Sequence, residues 1–502
     1  MRRRTFLKSG LLASGALSLP PPFGRTLGSR TLNVRQARDV VAVTGNGREV
    51  TLTSRAIAAL AARVRGHVLL ATDSGYEQAR RIYNPAFDRH PALIVQATGV
   101  ADIRAAVDFA RDNGGLLLAV KGGGHSFSGK STCDRGMMID LTGFREVRVD
   151  PAARRAWVTG GSLLGAVDHE TLQFDLATPL GTVSDTGAGG LITGGGFGRL
   201  SRHFGLAIDN LVAADVVTAD GVLRHASAQE NPDLFWGVRG GGGNFGIVTT
   251  FELGLHRMPR KVIGGKLAFP FAKARDALNL YADYAPRAPE ELGIILDLQK
   301  ARSGDGQVVF DLCYSGPPSG AEQALAPLRR LGTALSDDVR SADYYDLQRS
   351  GDDPQPQLHE LYIKSGFISS LPTGLIDALL EGLTSNPRRD TFVFLETHGG
   401  AISRVAPDAT ALPHRRTLAS LAAGAFWDHG EPTTEHSSAV QRYWSTLESF
   451  TDGFYVNYME AERAQGAVRT TYKGNLPRLM TIKKKYDPTN LFRLNANVEP
   501  GT

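Results

Sequence analysis

Between Val120 and Asp140 the chain reads VKGGGHSFSGKSTCDRGMMID, and two kinds of chemistry share that stretch. Gly124, Gly129, Lys130 and Ser131 satisfy the spacing G-x-x-x-x-G-K-[ST], in which backbone N–H groups and a lysine cradle phosphates. His125 stands directly behind three glycines, where a phosphate loop has no use for an imidazole but where a ring nitrogen could hold a ligand. A second run supplies Gly241, Gly243 and Gly246 at the G-x-G-x-x-G spacing of dinucleotide folds. Further on, FYVNYM sets Tyr455 and Tyr458 three apart, and VFLETHGG puts Glu396 and His398 on one strand face by the two-residue period. Cys133 and Cys313 are the only cysteines, so neither a disulfide framework nor a metal site is expected.

The neighbouring elements separate these readings. PALIVQA (91–97) predicts a buried strand, DIRAAVDFARDN (102–113) an amphipathic helix stopped by Gly114 and Gly115, and LLLAVK (116–121) a second strand. A β-α-β unit therefore delivers the chain into the histidine loop. A phosphate loop must open a helix, because the helix N-terminus holds the phosphates. Ser131 instead leads through a turn with Gly136 into the apolar strand MMIDL, which excludes a nucleotide hydrolase. Gly246 is likewise followed by the strand-like IVTTFEL, where a dinucleotide fold needs a helix. What remains is a set of glycine-rich loops whose inward N–H groups can form a nest for a pyrophosphate.

The 502 residues suffice for two or three domains. The net charge of +5 comes from the N-terminus: residues 1–30 carry Arg2, Arg3, Arg4, Lys8, Arg25 and Arg30 and no acid. Without those six, 50 basic residues face 51 acidic ones, so no nucleic-acid footprint is expected. RRTFLK, the apolar LLASGALSLP and the prolines after it look like a twin-arginine export signal over 1–30, which implies a periplasmic or secreted protein. The apolar run is too short to act as a transmembrane anchor. Glycine thins from about residue 260, where alternating segments and helices suggest a second α+β domain, and motif density returns over the last fifty residues. The first domain is thus discontinuous.

Four segments, KGGGHSFSG, GLITGGGFGRLSRHFGLAIDNL, LFWGVRGGGGNFGIVTTFEL and the terminal YVNY with KKKYDPTNLFR, resemble the berberine-bridge-enzyme-like oxidoreductases of the vanillyl-alcohol oxidase flavoprotein superfamily. The resemblance runs in order from about residue 80 onwards. It implies an α+β fold with a two-part PCMH-type FAD-binding domain, residues 55–260 (core about 87–258) and 454–502, around an inserted α+β substrate domain, residues 261–453. It implies FAD held by one covalent bond, through His125. The loop cysteine that makes a second bond in many relatives falls at Val183, which cannot form a thioether, and Ser184 and Asp185 also depart from the usual loop. Gly122, Gly123, Gly124, Ser126 and Gly129 resemble the pyrophosphate cradle. Gly187, Gly190, Thr193, Gly194 and Gly198 match the flavin side, Asn244, Ile247 and Val248 the adenine-ribose end, and Asn457 and Asn495 further flavin contacts.

Tyr458, Tyr455 and Glu396 are the catalytic candidates that the resemblance supplies. In carbohydrate-oxidising relatives the tyrosine after the asparagine, here Tyr458, takes the substrate hydroxyl proton while hydride passes to the flavin. A phenol with a pKa of roughly 10 needs help to act as a base, and Lys364 in LYIKSGF is a candidate to lower it. Glu396 is the alternative base, as in the plant alkaloid branch. Tyr455 also reads as core, if FYVNYM is a buried strand. The resulting expectation is an oxidoreductase acting on a hydroxyl-bearing carbon of a sugar or secondary-metabolite alcohol, with dioxygen or another electron acceptor as second partner. The alternatives are an amine, N-heterocycle or alkaloid-type oxidase on the same flavin, and an exported binding protein without activity. Trp427 and Trp444 are the only tryptophans of the middle domain that could platform a sugar.

Overall fold

The computed structural model describes residues 38–385, 388–458 and 465–501. The signal-like segment 1–30 lies outside the described residues.

The histidine loop hangs from a four-stranded sheet. Its elements are β1 (His67–Leu69), β2 (Leu93–Gln96), helix α1 (Val100–Asp112), β3 (Leu118–Lys121) and β4 (Met137–Asp140), with strand order β1-β2-β4-β3. β4 is parallel to both β2 and β3. Parallel strands are covered on both faces and so read as continuous apolar runs; Leu93, Ile94 and Val95 are fully buried. α1 buries Ile103, Ala106, Val107 and Ala110 along one stripe, the periodicity that predicts it. The expected strand-helix-strand unit is present, and its last strand ends at Lys121. In open α/β arrangements ligands gather beyond the carboxyl ends of parallel strands, and Gly122 to Gly129 begin there.

An antiparallel five-stranded sheet follows. β5 (Val147–Asp150), β6 (Arg155–Thr159), β7 (Leu211–Val217), β8 (Leu223–Ser227) and β9 (Ile247–Gly254) lie in the order β8-β7-β9-β6-β5, and the short helix α2 (Ala188–Gly194) sits between β6 and β7 in the chain. Neither phosphate motif opens a helix of the kind its chemistry requires. Ser131 runs through a turn into β4, and Gly246 runs directly into β9.

The middle of the chain builds an eight-stranded antiparallel sheet. Its elements in chain order are β10 (Lys261–Pro270), α3 (Ala274–Tyr284), β11 (Leu292–Lys300), β12 (Gly306–Tyr314), β13 (Ser336–Asp337), β14 (Arg340–Asp343), β15 (His359–Ile368), α4 (Thr373–Thr384), β16 (Asp390–Thr397), β17 (Ala419–Asp428) and α5 (Thr433–Leu447). The strand order is β13-β10-β12-β11-β16-β17-β15, with β14 also paired to β10. The period of two gives the sheet two unlike faces. Leu292, Ile294, Leu296 and Leu298 of β11 share a core with Leu278 of α3, Leu379 of α4 and Trp444 of α5. The opposite face carries Ile295 and Asp297 of β11, Phe392, Phe394 and Glu396 of β16, and Leu361, Ile363 and Ser365 of β15.

That second face turns toward the glycine loops. Asn84 Nδ2 donates to the carbonyl of Leu361 at 2.7 Å, and the Tyr455 amide donates to Ser365 Oγ at 3.2 Å. After α5 the chain returns to the first sheets through helix α6 (Leu476–Tyr486) and the segment that follows it. Lys483 of α6 is fully buried, and its ammonium donates to the carbonyls of Asn244 (2.8 Å) and Phe492 (2.8 Å) and to Asp487 Oδ2 (2.7 Å). Cys133 and Cys313 are both buried free thiols.

Candidate active site

A cavity of about 300 Å³ runs along the glycine loops. Of the residues expected at the cofactor, Gly122, Gly123, Gly124, His125, Ser126, Gly187, Gly190, Thr193, Ile247, Val248, Asn457 and Asn495 line it, together with Tyr455 and Tyr458. Segments far apart in sequence meet here because their backbones touch. A Cβ on Gly123 would fall 2.4 Å from Gly187 Cα, and one on Gly187 would fall 2.3 Å from the Gly123 amide nitrogen. Only glycine permits that approach, which seats α2 and its leading turn against the histidine loop.

Five predicted residues are not on the cavity wall. Gly129, with φ +72°, shapes the turn over Phe87, whose ring would lie 2.4 Å from an added Cβ. Gly194 makes room for Asn457, and Gly198 for the carbonyl of Leu180. Asn244 is fully buried: its Nδ2 donates to Gly241 and Ala496 carbonyls (2.7 and 3.0 Å) and its Oδ1 accepts from the Val498 amide (2.9 Å). It stitches the C-terminal segment to the loop before β9. Glu396 lies beside the tyrosines but opens onto a separate cavity of about 10 Å³, shared with Phe197, Arg199 and Ser201. That volume is at the lower limit for one water.

FYVNY (454–458) is not a strand. Val456–Tyr458 form a 3₁₀ turn in which the Tyr458 amide donates to the Tyr455 carbonyl at 2.9 Å. In such a turn positions i and i+3 eclipse, so both rings reach the same wall, edge to face at 5.0 Å. The Tyr455 hydroxyl accepts from the Gly196 amide (3.1 Å) and from Asn457 Nδ2 (2.8 Å), so it is held in place. Tyr458 stacks on Phe127 at 5.8 Å and meets Phe394 edge-on at 5.6 Å.

Burial pushes the Tyr458 phenol well above its usual range, and the Glu396 carboxylate and Tyr455 push it the same way. Lys364 is not positioned to reverse this. On β15 it alternates with Ser365, which bonds Tyr455, and it shares the other face with Tyr362, whose hydroxyl accepts from Gln441 of α5 at 3.0 Å. Glu396 is pushed up to about 7 by burial, partly opposed by Arg199, and its Oε2 finds no hydrogen-bond partner. His398, just past β16, lies behind Phe197 and not at the cavity, stacked on that ring at 4.6 Å. Its imidazole is held neutral by burial, first of all, with a pKa of about 3. Trp427 and Trp444 are both core residues and offer no sugar platform.

The wall also includes residues that the sequence did not assign to the cofactor. Lys130 and Ser131 line the cavity, as do Phe127, Phe197 and Val183. His125 Nε2 lies 3.3 Å from Asp185 Oδ1.

The fit of a large anionic heterocycle can be judged from the wall itself. His125 Nε2, Ser131 Oγ and Asn495 Oδ1 are buried on it without hydrogen-bond partners. Gly190 and Gly242 have open space where a side chain would stand, and Gly242 adopts φ +66°. A floor of bare backbone ending in an imidazole suits a dinucleotide lying along it. Fold and site together define an FAD-linked oxidoreductase.

Comparison with known proteins agrees. Residues 91–227 match the FAD binding domain family and residues 454–499 the berberine and berberine-like family. The chain is 31% identical over 460 residues to (R)-6-hydroxynicotine oxidase of Paenarthrobacter nicotinovorans, covering 87% of this chain and 97% of that one. It is 30% identical to the xylooligosaccharide oxidase of Thermothelomyces thermophilus over 83% of this chain and 89% of the other. The crystal structure of 6-hydroxy-D-nicotine oxidase from Arthrobacter nicotinovorans superposes with a TM-score of 0.80 at 28% identity, over 87% of this chain and 98% of that one. The chain belongs to the berberine-bridge-enzyme-like FAD-linked oxidoreductases. FAD is its cofactor, and among the described residues no helix is long and apolar enough to cross a membrane.

Proposed function

We propose that this is an exported oxidase or dehydrogenase acting on a hydroxyl-bearing carbon, with FAD carried covalently by His125 alone. The two-part cofactor domain, 55–260 and 454–502, would bind FAD and the inserted domain, 261–453, would cover the substrate. The observation that carries the reading is the meeting of His125, Asn457 and Tyr458 on one cavity wall. Bound there, FAD supplies the hydride acceptor. Tyr458 receives the substrate hydroxyl, and Tyr455 and Asn457 fix the turn that presents it. Tyr458 is the leading group to take the hydroxyl proton; because burial disfavours its phenolate, the neighbouring carboxyl of Glu396, pushed up to about 7 by burial but off the cavity wall, is the alternative. Val183 on the same wall offers no sulfur for a second bond.

Of the two alcohol classes, the secondary-metabolite alcohol is better supported than a sugar. The sheet face beside Tyr458 is built from Leu361, Ile363, Phe392, Phe394 and Phe426 with Phe127, an apolar and aromatic wall with few donors for a polyol. Anaerobic bleaching of the flavin by aryl alcohols, with sugars silent, is the expected result. A second reading, oxidation of a cyclic amine, is favoured by that same wall and by the likeness to a hydroxynicotine oxidase. Bleaching by cyclic amines with every alcohol silent would replace the first reading by the second.

A further inference from the structure

Asp185 has no role in the account above, yet its carboxylate stands within ion-pair distance of His125. Its Oδ1 lies 3.3 Å from His125 Nε2, within ion-pair reach but not aligned as a hydrogen bond, and both atoms are buried with no hydrogen-bond partner. The two side chains are 34% and 12% exposed, and of the two His125 lines the cavity while Asp185 does not. Its surroundings are fixed on both sides. Ser184, the preceding residue, donates from its amide (2.8 Å) and its hydroxyl (2.6 Å) to Asp352, and Gly187 packs backbone to backbone on Gly123. The imidazole is confined by Tyr83 at 4.2 Å and Phe127 at 5.1 Å.

A neutral imidazole carries one N–H and one lone pair, and a neighbouring acceptor decides which nitrogen has which. A carboxylate at Nε2 calls for the proton there, which leaves the lone pair on Nδ1, the nitrogen not buried against Asp185. We propose that Asp185 is a positioning residue for cofactor attachment: it fixes His125 as the Nε2–H tautomer, directs the covalent bond to Nδ1, and offsets the positive charge of the linked ring. The proposal rests on His125 being the covalent attachment point.

The step balances as follows. The Nδ1 lone pair forms the bond to the 8α methyl carbon, and that carbon gives up one hydrogen as a proton. Two electrons and that proton pass on to a two-electron acceptor, dioxygen being the simplest. Nε2 keeps its hydrogen, so the doubly substituted imidazole is cationic beside the Asp185 carboxylate. Charge-assisted contacts of this kind outweigh neutral ones about twofold.

The test uses the full-length holoprotein and the variants Asp185→Ala and Asp185→Asn. Acid precipitation separates covalent from dissociable flavin, total flavin content reports whether the site still folds, and spectroscopy of the isolated flavinyl peptide identifies the bonded nitrogen. The expected wild type is fully linked at Nδ1. Asp185→Ala should keep dissociable flavin while its covalent fraction falls at least tenfold. Asp185→Asn, whose side-chain oxygen still accepts from Nε2–H but carries no charge, should link more slowly than wild type and faster than the alanine variant. Complete Nδ1 linkage in Asp185→Ala, or a wild-type bond at Nε2, overturns the proposal while leaving His125 as the attachment point. Acid-soluble flavin in the wild type ends both ideas together.

Discussion

At the scale of single residues, the site separates holding the cofactor from moving the proton. His125→Ala should leave flavin that acid removes, with no labelled peptide, while the apoprotein fold persists; a covalent flavin retained in that variant would show that another side chain carries it. Tyr458→Phe keeps the ring that packs on Phe127 and Phe394 but removes the hydroxyl, so anaerobic flavin reduction should slow by roughly 10² to 10⁴. Glu396 gives a pH signature of its own. Its folded pKa, about 7, lies above the ordinary 4.5. The folded state therefore binds the extra proton between those values, and stability falls as pH rises from about 4.5 to 7. Glu396→Gln should flatten its share of that slope and melt a few degrees higher than wild type above pH 7, seen by calorimetry at several pH values. The same substitution should abolish any rise of flavin reduction through pH 7; an unchanged pH profile would clear Glu396 of the proton.

At the scale of elements, the sequence was most legible where one period governs a segment. The strand-helix-strand unit before the histidine loop follows from apolar runs and the stripe of α1, and the two rejected glycine motifs from the strands behind them. Legibility ended where the question was which way a residue points. Gly123 and Gly194 are the same residue type in similar runs, yet one lines the cavity and the other spares room for Asn457. Lys364 could be assigned to a face only once Ser365 and Tyr362 were seen bonded on opposite sides of β15. Whether FYVNY is a strand or a 3₁₀ turn was not legible, because five residues carry too little periodicity to separate the two. Asp185 did leave a trace, in the departure of Ser184 and Asp185 from the usual loop, but its approach to His125 was not deducible. Gly194→Ala tests the element logic directly. Its new Cβ would stand 2.2 Å from Asn457 Oδ1, so Asn457 must give up its bond to the Tyr455 hydroxyl. Flavin reduction should fall several-fold, with a stability loss of only about 1–3 kcal/mol by denaturant titration.

At the scale of the whole molecule, segments distant in sequence are fastened together by buried polar contacts. Lys483 is one of them, joining α6, the loop before β9 and the C-terminal segment through three acceptors. Asp487→Ala would leave that ammonium buried without its counter-charge, a loss of about 3–5 kcal/mol, measurable as a lower midpoint in urea. Unchanged stability would mean that the lysine finds water or another partner. The cavity wall is also divided in time. His125 emerges from the ribosome before the entire eight-stranded sheet, and Asn457, Tyr458 and Asn495 only after it. A nascent chain halted anywhere between them owns half a binding site, so capture of the dinucleotide must wait until translation has passed the inserted sheet.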